Sequence, residues 1–227
     1  MLKDKYTLED LIELMRVLRS ENGCPWDREQ DHESLKKYLL EETYEVLEAI
    51  DLNDKDKLCE ELGDLLLQIV FHAQIEVEKD GFSMDDIITS ICKKIITRHT
   101  HVFGKDYIST AEGVENNWEL IKKKEKGMMT QTEVLKAVPK NFPALMRSYK
   151  VQQKAAQVGF DWDNIEDVFN KVYEEIKELE DVYKSKNVER INDEVGDVFF
   201  AIVNLSRFLN VQPELALNHT INKFIKR

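Results

Sequence analysis

The sequence predicts an all-α fold built twice over, and three observations carry that prediction. Glycine (8) and proline (4) are scarce among 227 residues rich in Leu, Glu, Lys and Ile, a composition that suits long helices. Apolar residues recur at helical spacing along most of the chain, and short β-branched runs bounded by turn signals are lacking. The second half also repeats the first. EETYE at Glu41 aligns with EEIKE at Glu174, and EELGD at Glu60 with DEVGD at Asp193, both at an offset of 133 residues. Two motifs sharing one offset mark a duplicated helical unit. With 42% hydrophobic residues, a chain of this length can bury a real core.

The elements follow in order. Thr7 with Asp10 forms a capping box that opens a helix to about Ser20, and Glu21-Asn22-Gly23-Cys24-Pro25 is a turn signal. Leu35, Leu39, Thr43, Val46 and Ile50 give a second helix over 33–51, and a third runs from Asp56 to about Lys79. Gly81 breaks the pattern, and Ser83 with Asp86 caps a fourth helix to about Arg98. Gly104, Gly113, Gly127, Pro139 and Pro143 punctuate a polar connection with one short helical run, Trp118 to Lys126. Helical patterns resume over 144–158, 164–183, 188–209 and from Pro213 onward. The expected layout is a first unit over 1–104, a connection over 105–143 and a second unit over 144–227.

Charge and cysteine content narrow the function. With 44 acidic and 32 basic residues the formal net charge is -12, and no Lys/Arg block is interleaved with aromatics. Nucleic acid and anionic membranes are therefore poor partners. Cys24, Cys59 and Cys92 form no metal-type cluster and fit a reducing cytoplasm, and no window approaches the ~20 apolar residues of a membrane span. The N-terminal MLKDKYTLED carries no apolar run of export type. A soluble cytoplasmic chain is expected.

The chemistry concentrates in LCEELGDLLLQIVFHAQI, Leu58 to Ile75. On a helical wheel Asp64, Gln68 and His72 fall at about −60°, −20° and +20° from Glu61, a narrow polar stripe with apolar residues on both flanks. Such a stripe ordinarily faces solvent. Here the flanking residues predict packing around it, and Glu42 falls among Leu35, Val46 and Ala49, with Glu45 at the edge of that arc. Carboxylates converging from two antiparallel helices repel and are desolvated, at several kcal/mol each. A divalent cation is the economical compensation, and an all-oxygen set selects a hard ion, Mg²⁺ first and Mn²⁺ second. Glu42/Glu45 and Glu61/Asp64 supply it at i, i+3, as do Glu175/Glu178 and Glu194/Asp197 in the second copy, where Ala201 and Leu205 replace Gln68 and His72. Gly63 and Gly196, inside these helices, suggest close helix approach beside the acids.

Other chemistries find little footing. The chain has no Gly-x-x-x-x-Gly-Lys loop and no Gly-x-Gly-x-x-Gly, and Glu29 with His32 is one candidate where a di-iron bundle needs two. A Cys-His nucleophile would leave the carboxylate pattern unexplained. Trp26 and Trp162 each follow a glycine turn, a place where tryptophan more often plugs a core than offers a stacking platform. His99 and His101 suit helix capping at least as well as phosphate contact.

Longer stretches carry a family likeness. GCPWDREQDHESLKKYLLEETYEVLEAI, EELGDLLLQIVFHAQI and KKIITRHTHVFG in the first half resemble the MazG family of nucleoside triphosphate pyrophosphohydrolases in its tandem two-domain form. So do PALMRSYKVQQKAAQVGFDW, YEEIKELE, DEVGDVFFAIVNLSRFL and NKFIKR in the second. The resemblance implies four-helix-type units that form a homodimer through their helices, and Mg²⁺-dependent hydrolysis of a nucleoside triphosphate to monophosphate and pyrophosphate in nucleotide-pool cleaning. Carried over, Glu42, Glu45, Glu61, Asp64, Glu175, Glu178, Glu194 and Asp197 are metal-ligand positions. Glu41 and Glu174 begin the same motif and would orient the attacking water. Lys122, Arg190, Lys223 and Arg227 would hold phosphates, with Trp162 and Asn204 at the base end. The family pattern continues past Lys-Phe-x-x-Arg, whereas this sequence stops at Arg227. A second function class stays open: a catalytically weak helical dimer that binds nucleotide or a protein partner in regulation.

Overall fold

The computed structural model describes residues 2–125, 127 and 130–227, and every regular element among them is helical. The chain divides into two compact units, Met1–Val114 and Glu115–Arg227. No helix among the described residues is long and apolar enough to cross a membrane. Cys24, Cys59 and Cys92 are free thiols.

In the first unit Thr7 opens α1 (Leu8–Leu18) through the reciprocal box with Asp10. Cys24 N donates back to Leu18 O at 2.7 Å, and a Cβ at Gly23 would lie 2.2 Å from that carbonyl, so glycine is what lets the chain double back. The expected turn continues into a short helix, α2 (Pro25–Glu29), started by Pro25 at its first position. Asp31 and Ser34 cap α3 (His32–Leu52) reciprocally. Asn53 then turns left-handed (φ 51°), and Asp54 caps α4 (Lys55–Val77) by accepting from Asp56 N and Lys57 N. So short a turn leaves α3 and α4 no arrangement but an antiparallel hairpin. The Ser83–Asp86 box opens α5 (Met84–Arg98), His99 Nδ1 lies 2.6 Å from Ile95 O at its C-terminus, and α6 (Thr100–Phe103) follows. His99 thus takes the capping role.

Met15, Leu35, Val70, Phe71, Ala73, Ile75 and Met84 form the core of this unit where α1 and α5 pack against the hairpin. Arg19 ties the same end: it donates to both oxygens of Glu78 (2.8 and 2.7 Å) and to Gln30 O, with its guanidinium 5.3 Å from the Phe71 ring. The acids lie nearer the hairpin turn than this core does.

The unit boundary falls within α7 (Ala111–Glu125), whose expected last residue, Lys126, lies outside the described residues. The stretch expected as a connection also contains α8 (Gln131–Lys136), which buries Val134 and packs on α9 (Ala144–Ala156). A second hairpin follows, α10 (Ile165–Val182) and α11 (Val188–Phe208), and then α12 (Pro213–Ile225), which packs on α9 and α11. Its turn reproduces the first: Lys186 is left-handed (φ 57°) and Asn187 caps α11, each 133 residues after its counterpart. The left-handed residue and the cap keep the motif offset, although α10 ends at Val182 and a 3₁₀ turn, Tyr183–Ser185, fills the interval that the last turn of α3 fills in the first copy.

Two expectations are not met within a single chain. Leu62, Leu66 and Ile69 on α4 stay exposed, so their own chain does not cover this side of the helix. Gly63 and Gly196 face open space, with nothing within 4 Å of a Cβ built there, so they serve no close helix approach within their units.

Candidate metal centre and nucleotide cavity

In the first unit the hairpin brings Glu42 and Glu45 of α3 to Glu61 of α4, with one carboxylate oxygen from each within 4.8 Å of the others. Glu61 is only 9% exposed. Its carboxyl is held above the ordinary range by burial first and then by the charge of Glu45, with Lys57 opposing in part. Burial, then Asp64 and Glu45, push Glu42 up likewise. Asp64 thus belongs electrostatically to the cluster although the triad forms without it, and Glu41 is exposed beside it.

The second unit draws its triad from the equivalent four positions: Glu175 of α10 with Glu194 and Asp197 of α11, again within 4.8 Å. Burial, followed by Glu178 and Asp197, raises the Glu194 carboxyl, and Arg190 opposes. Glu178 is exposed and stands outside the triad. A cation not anticipated from the sequence is present: Lys171 Nζ lies 2.8 Å from both Glu174 and Glu175, and those two hydrogen bonds raise its pKa. Three hard oxygen donors from facing helices suit a divalent cation at either cluster, where burial and repulsion already lift the carboxyls of Glu42 and Glu61 in the first and of Glu194 in the second.

The second triad also opens onto a cavity of about 610 Å³ lined by Glu175, Asp197, Lys171, Trp162, Asn204 and Phe200, among others. That volume is in the range of small-molecule sites. Trp162 is 42% exposed and Trp26 50%, so neither is the core plug that their glycine turns suggested. Trp26 instead meets Tyr38 edge to face at 5.9 Å.

The expected phosphate-holding residues do not line one cavity, although Arg190 lies near enough to the second triad for its charge to act on Glu194. Lys122 lines a separate cavity of about 390 Å³ with Lys154, where both bond Glu119 (2.7 and 2.9 Å). Arg190 is exposed in the first turn of α11, and Lys223 and Arg227 are exposed near the end of the chain. Sequence reasoning missed Lys171, Gln152, Phe160 and Arg207 at the cavity. Gln152 alone left a trace, a polar residue at helical spacing with Leu145 and Tyr149.

The rest of the stripe in the first unit is structural. Gln68 is buried with Oε1 lacking a partner among the described residues, and His72 Nδ1 lies 2.8 Å from His32 Nδ1, whose Nε2 is 2.6 Å from Glu76. Burial, then His32, lowers the pKa of His72.

Comparison with known proteins bears on this duplicated arrangement. The family description "MazG nucleotide pyrophosphohydrolase domain" matches twice, over residues 30–103 and 164–227. The chain belongs to the MazG family. The Thermotoga maritima protein named nucleoside triphosphate pyrophosphohydrolase/pyrophosphatase MazG is 47% identical over 96% of this chain and 83% of its own. The Escherichia coli K12 nucleoside triphosphate pyrophosphohydrolase is 43% identical over 97% and 85%. A Bacillus subtilis protein named uncharacterized protein YabN is 46% identical over 94% of this chain and 44% of its own. Both MazG domains contain one hairpin with its acid triad: residues 30–103 span α3 and α4, and residues 164–227 span α10 and α11.

Proposed function

We propose that the protein hydrolyses nucleoside triphosphates to the monophosphate and pyrophosphate with Mg²⁺, and that the second unit is the working site. The observation that carries this reading is that Glu175 and Asp197 share one cavity with Trp162 and Asn204. A nucleotide needs that combination: oxygen donors for a cation at one end, and an aromatic wall and an amide for a base at the other. The relatives' names state the same activity.

In this reading Glu175, Glu178, Glu194 and Asp197 would hold the cation, and Glu42, Glu45, Glu61 and Asp64 would do so in the first unit. All-oxygen coordination favours Mg²⁺, then Mn²⁺. Such an ion, when bound by these carboxylates, would supply positive charge to the triphosphate and acidify a water molecule bound to it. Lys171, already poised on the cavity wall, offers further positive charge, and Glu174 accepts a hydrogen bond from the water and orients it. The water oxygen attacks the α-phosphorus, the bond to the bridging oxygen breaks, and pyrophosphate leaves. Arg190, whose charge already acts on Glu194, would hold the phosphates together with Lys122, Lys223 and Arg227. The exposed apolar rows on α4 and α11 (Leu62, Leu66, Ile69; Phe199, Ile202) support a homodimer through these helices.

Hydrolysis in ¹⁸O-water, followed by phosphorus NMR, tests the reaction. The label belongs in the monophosphate with pyrophosphate as co-product, and turnover stops with chelator. Orthophosphate as the product, or label in pyrophosphate, would overturn the proposal.

A further inference from the structure

The turn that carries Trp162 is fastened to α11 by one guanidinium. Gly159 opens this turn with a left-handed backbone (φ 82°), and Gly159 N and Phe160 N bond back to Ala156 O (2.9 Å) and Ala155 O (3.2 Å) of α9. The next residue is tied by charge. Asp161 Oδ2 accepts from Arg207 Nη1 at 2.9 Å, while its Oδ1 accepts from Arg207 Nη2 and, at 2.9 Å, from Trp162 N. Arg207 Nε and Nη2 also donate to Asn204 Oδ1 (3.1 and 2.9 Å). The Arg207 side chain is 13% exposed and that of Asp161 27%, so the pair is largely withdrawn from the solvent that weakens surface ion pairs. One fork thus joins the Trp162 backbone, through a shared carboxylate, to the Asn204 side chain, and all four residues line the second-unit cavity. The first unit fastens its matching turn differently. There Pro25 precedes Trp26 where Asp161 precedes Trp162, Gln74 stands at the repeat position of Arg207, and Arg19 of α1 reaches the carbonyls of Asp27 and Gln30 instead.

We infer that Arg207 and Asp161 are positioning residues, a clamp that holds the 159–162 turn so that the ligand meets the Trp162 wall already in place. This rests on the reading of the cavity as a nucleoside triphosphate site. A two-pronged Arg–carboxylate contact fixes orientation as well as distance, and without it a turn hinged at a left-handed glycine visits other positions. The ligand then binds only the molecules whose turn is in place, and apparent affinity falls by that fraction: a wall in place about one-tenth of the time costs about tenfold. Bound nucleotide restores the wall, so turnover at saturation is kept. The clamp therefore acts on KM and leaves kcat nearly alone.

The test labels the tryptophans of the full chain, Trp26, Trp118 and Trp162, as 5-fluorotryptophan and follows them by ¹⁹F NMR, with the Trp162 resonance assigned from Trp162→Phe. In nucleotide-free Asp161→Asn and Arg207→Gln the Trp162 resonance should shift or broaden while the other two stay, which separates local release from unfolding. KM for ATP with Mg²⁺ should rise about tenfold in each variant with kcat within about twofold of native, and the double variant should be no worse than either, because each removes the same clamp. Arg207→Lys keeps the charge but loses the fork, so it is the gentler variant and should fall between native and Arg207→Gln. A Trp162 resonance unmoved in all three single variants, KM values that match the native, a fall in kcat with KM unchanged, or losses that multiply in the double variant would overturn the inference. If the native chain itself releases no pyrophosphate, the pyrophosphohydrolase reading fails, and the ¹⁹F spectra still decide whether the clamp positions Trp162.

Discussion

Glu61 and Glu194 show how one buried carboxylate couples stability to a ligand. Each holds its proton more tightly when folded than when unfolded, so ionisation costs the native state stability as pH climbs from the ordinary carboxylate value through the raised one. At neutral pH that cost is fully present without a cation. Glu61→Gln should raise the thermal midpoint of the ion-free protein and remove the first unit's share of the Mg²⁺-induced rise; scanning calorimetry with and without Mg²⁺ measures both. His72 has the opposite sign. Its folded pKa is lowered, so the unfolded chain takes up the proton first, and stability falls as pH drops below about 6.5 toward the lowered value. His72→Leu, the residue at the repeat position 205, should flatten the melting temperature between pH 7 and pH 5. An unchanged slope would remove His72 as the cause.

Among the elements, the two hairpins determine whether acid pairs carried by separate helices can meet. Inserting one residue between Asn53 and Asp54 turns α4 by about 100° relative to α3 and carries Glu61 away from Glu42. Helical content by circular dichroism should hardly change, while the Mg²⁺-induced stabilisation of the first unit disappears. Gly196 offers a converse case. Its Cβ position is open, so Gly196→Ala should stabilise α11 by ~1 kcal/mol, read from the chemical denaturation midpoint of the second unit. Nearly all the long helices were legible from periodicity and caps, because Thr7–Asp10, Ser83–Asp86 and the apolar repeats are local signals. The short α2, α6 and α8 were not: a helix of a few residues has too few turns to show a period, and tertiary packing holds it, as Val134 and Val138 do for the α8 region.

For the whole molecule, duplication without equivalence is the governing feature. Both units converge three acids from the same four positions, yet Ala201, Asn204 and Lys171 stand in the second where Gln68, Phe71 and Tyr38 stand in the first. Glu194→Gln should therefore abolish turnover, whereas Glu61→Gln leaves most of it, as rates of pyrophosphate release will show. If the exposed α4 and α11 faces pair two chains, Leu66→Glu with Ile202→Glu should halve the mass seen by light scattering.

The sequence alone established the helical class, the repeat and the positions of the acids, since each is written in local spacing that survives without knowledge of any distant contact. Folding settled matters that depend on side chains far apart in the chain. Asp64 stays outside one triad while its counterpart Asp197 enters the other, Lys171 bonds Glu175, and the glycine-turn tryptophans stay exposed. The same holds for Gln152, which comes to Phe200 from 48 residues away. Such outcomes follow from how two helices approach and which rotamers that approach allows, and a linear pattern of residue types does not encode them.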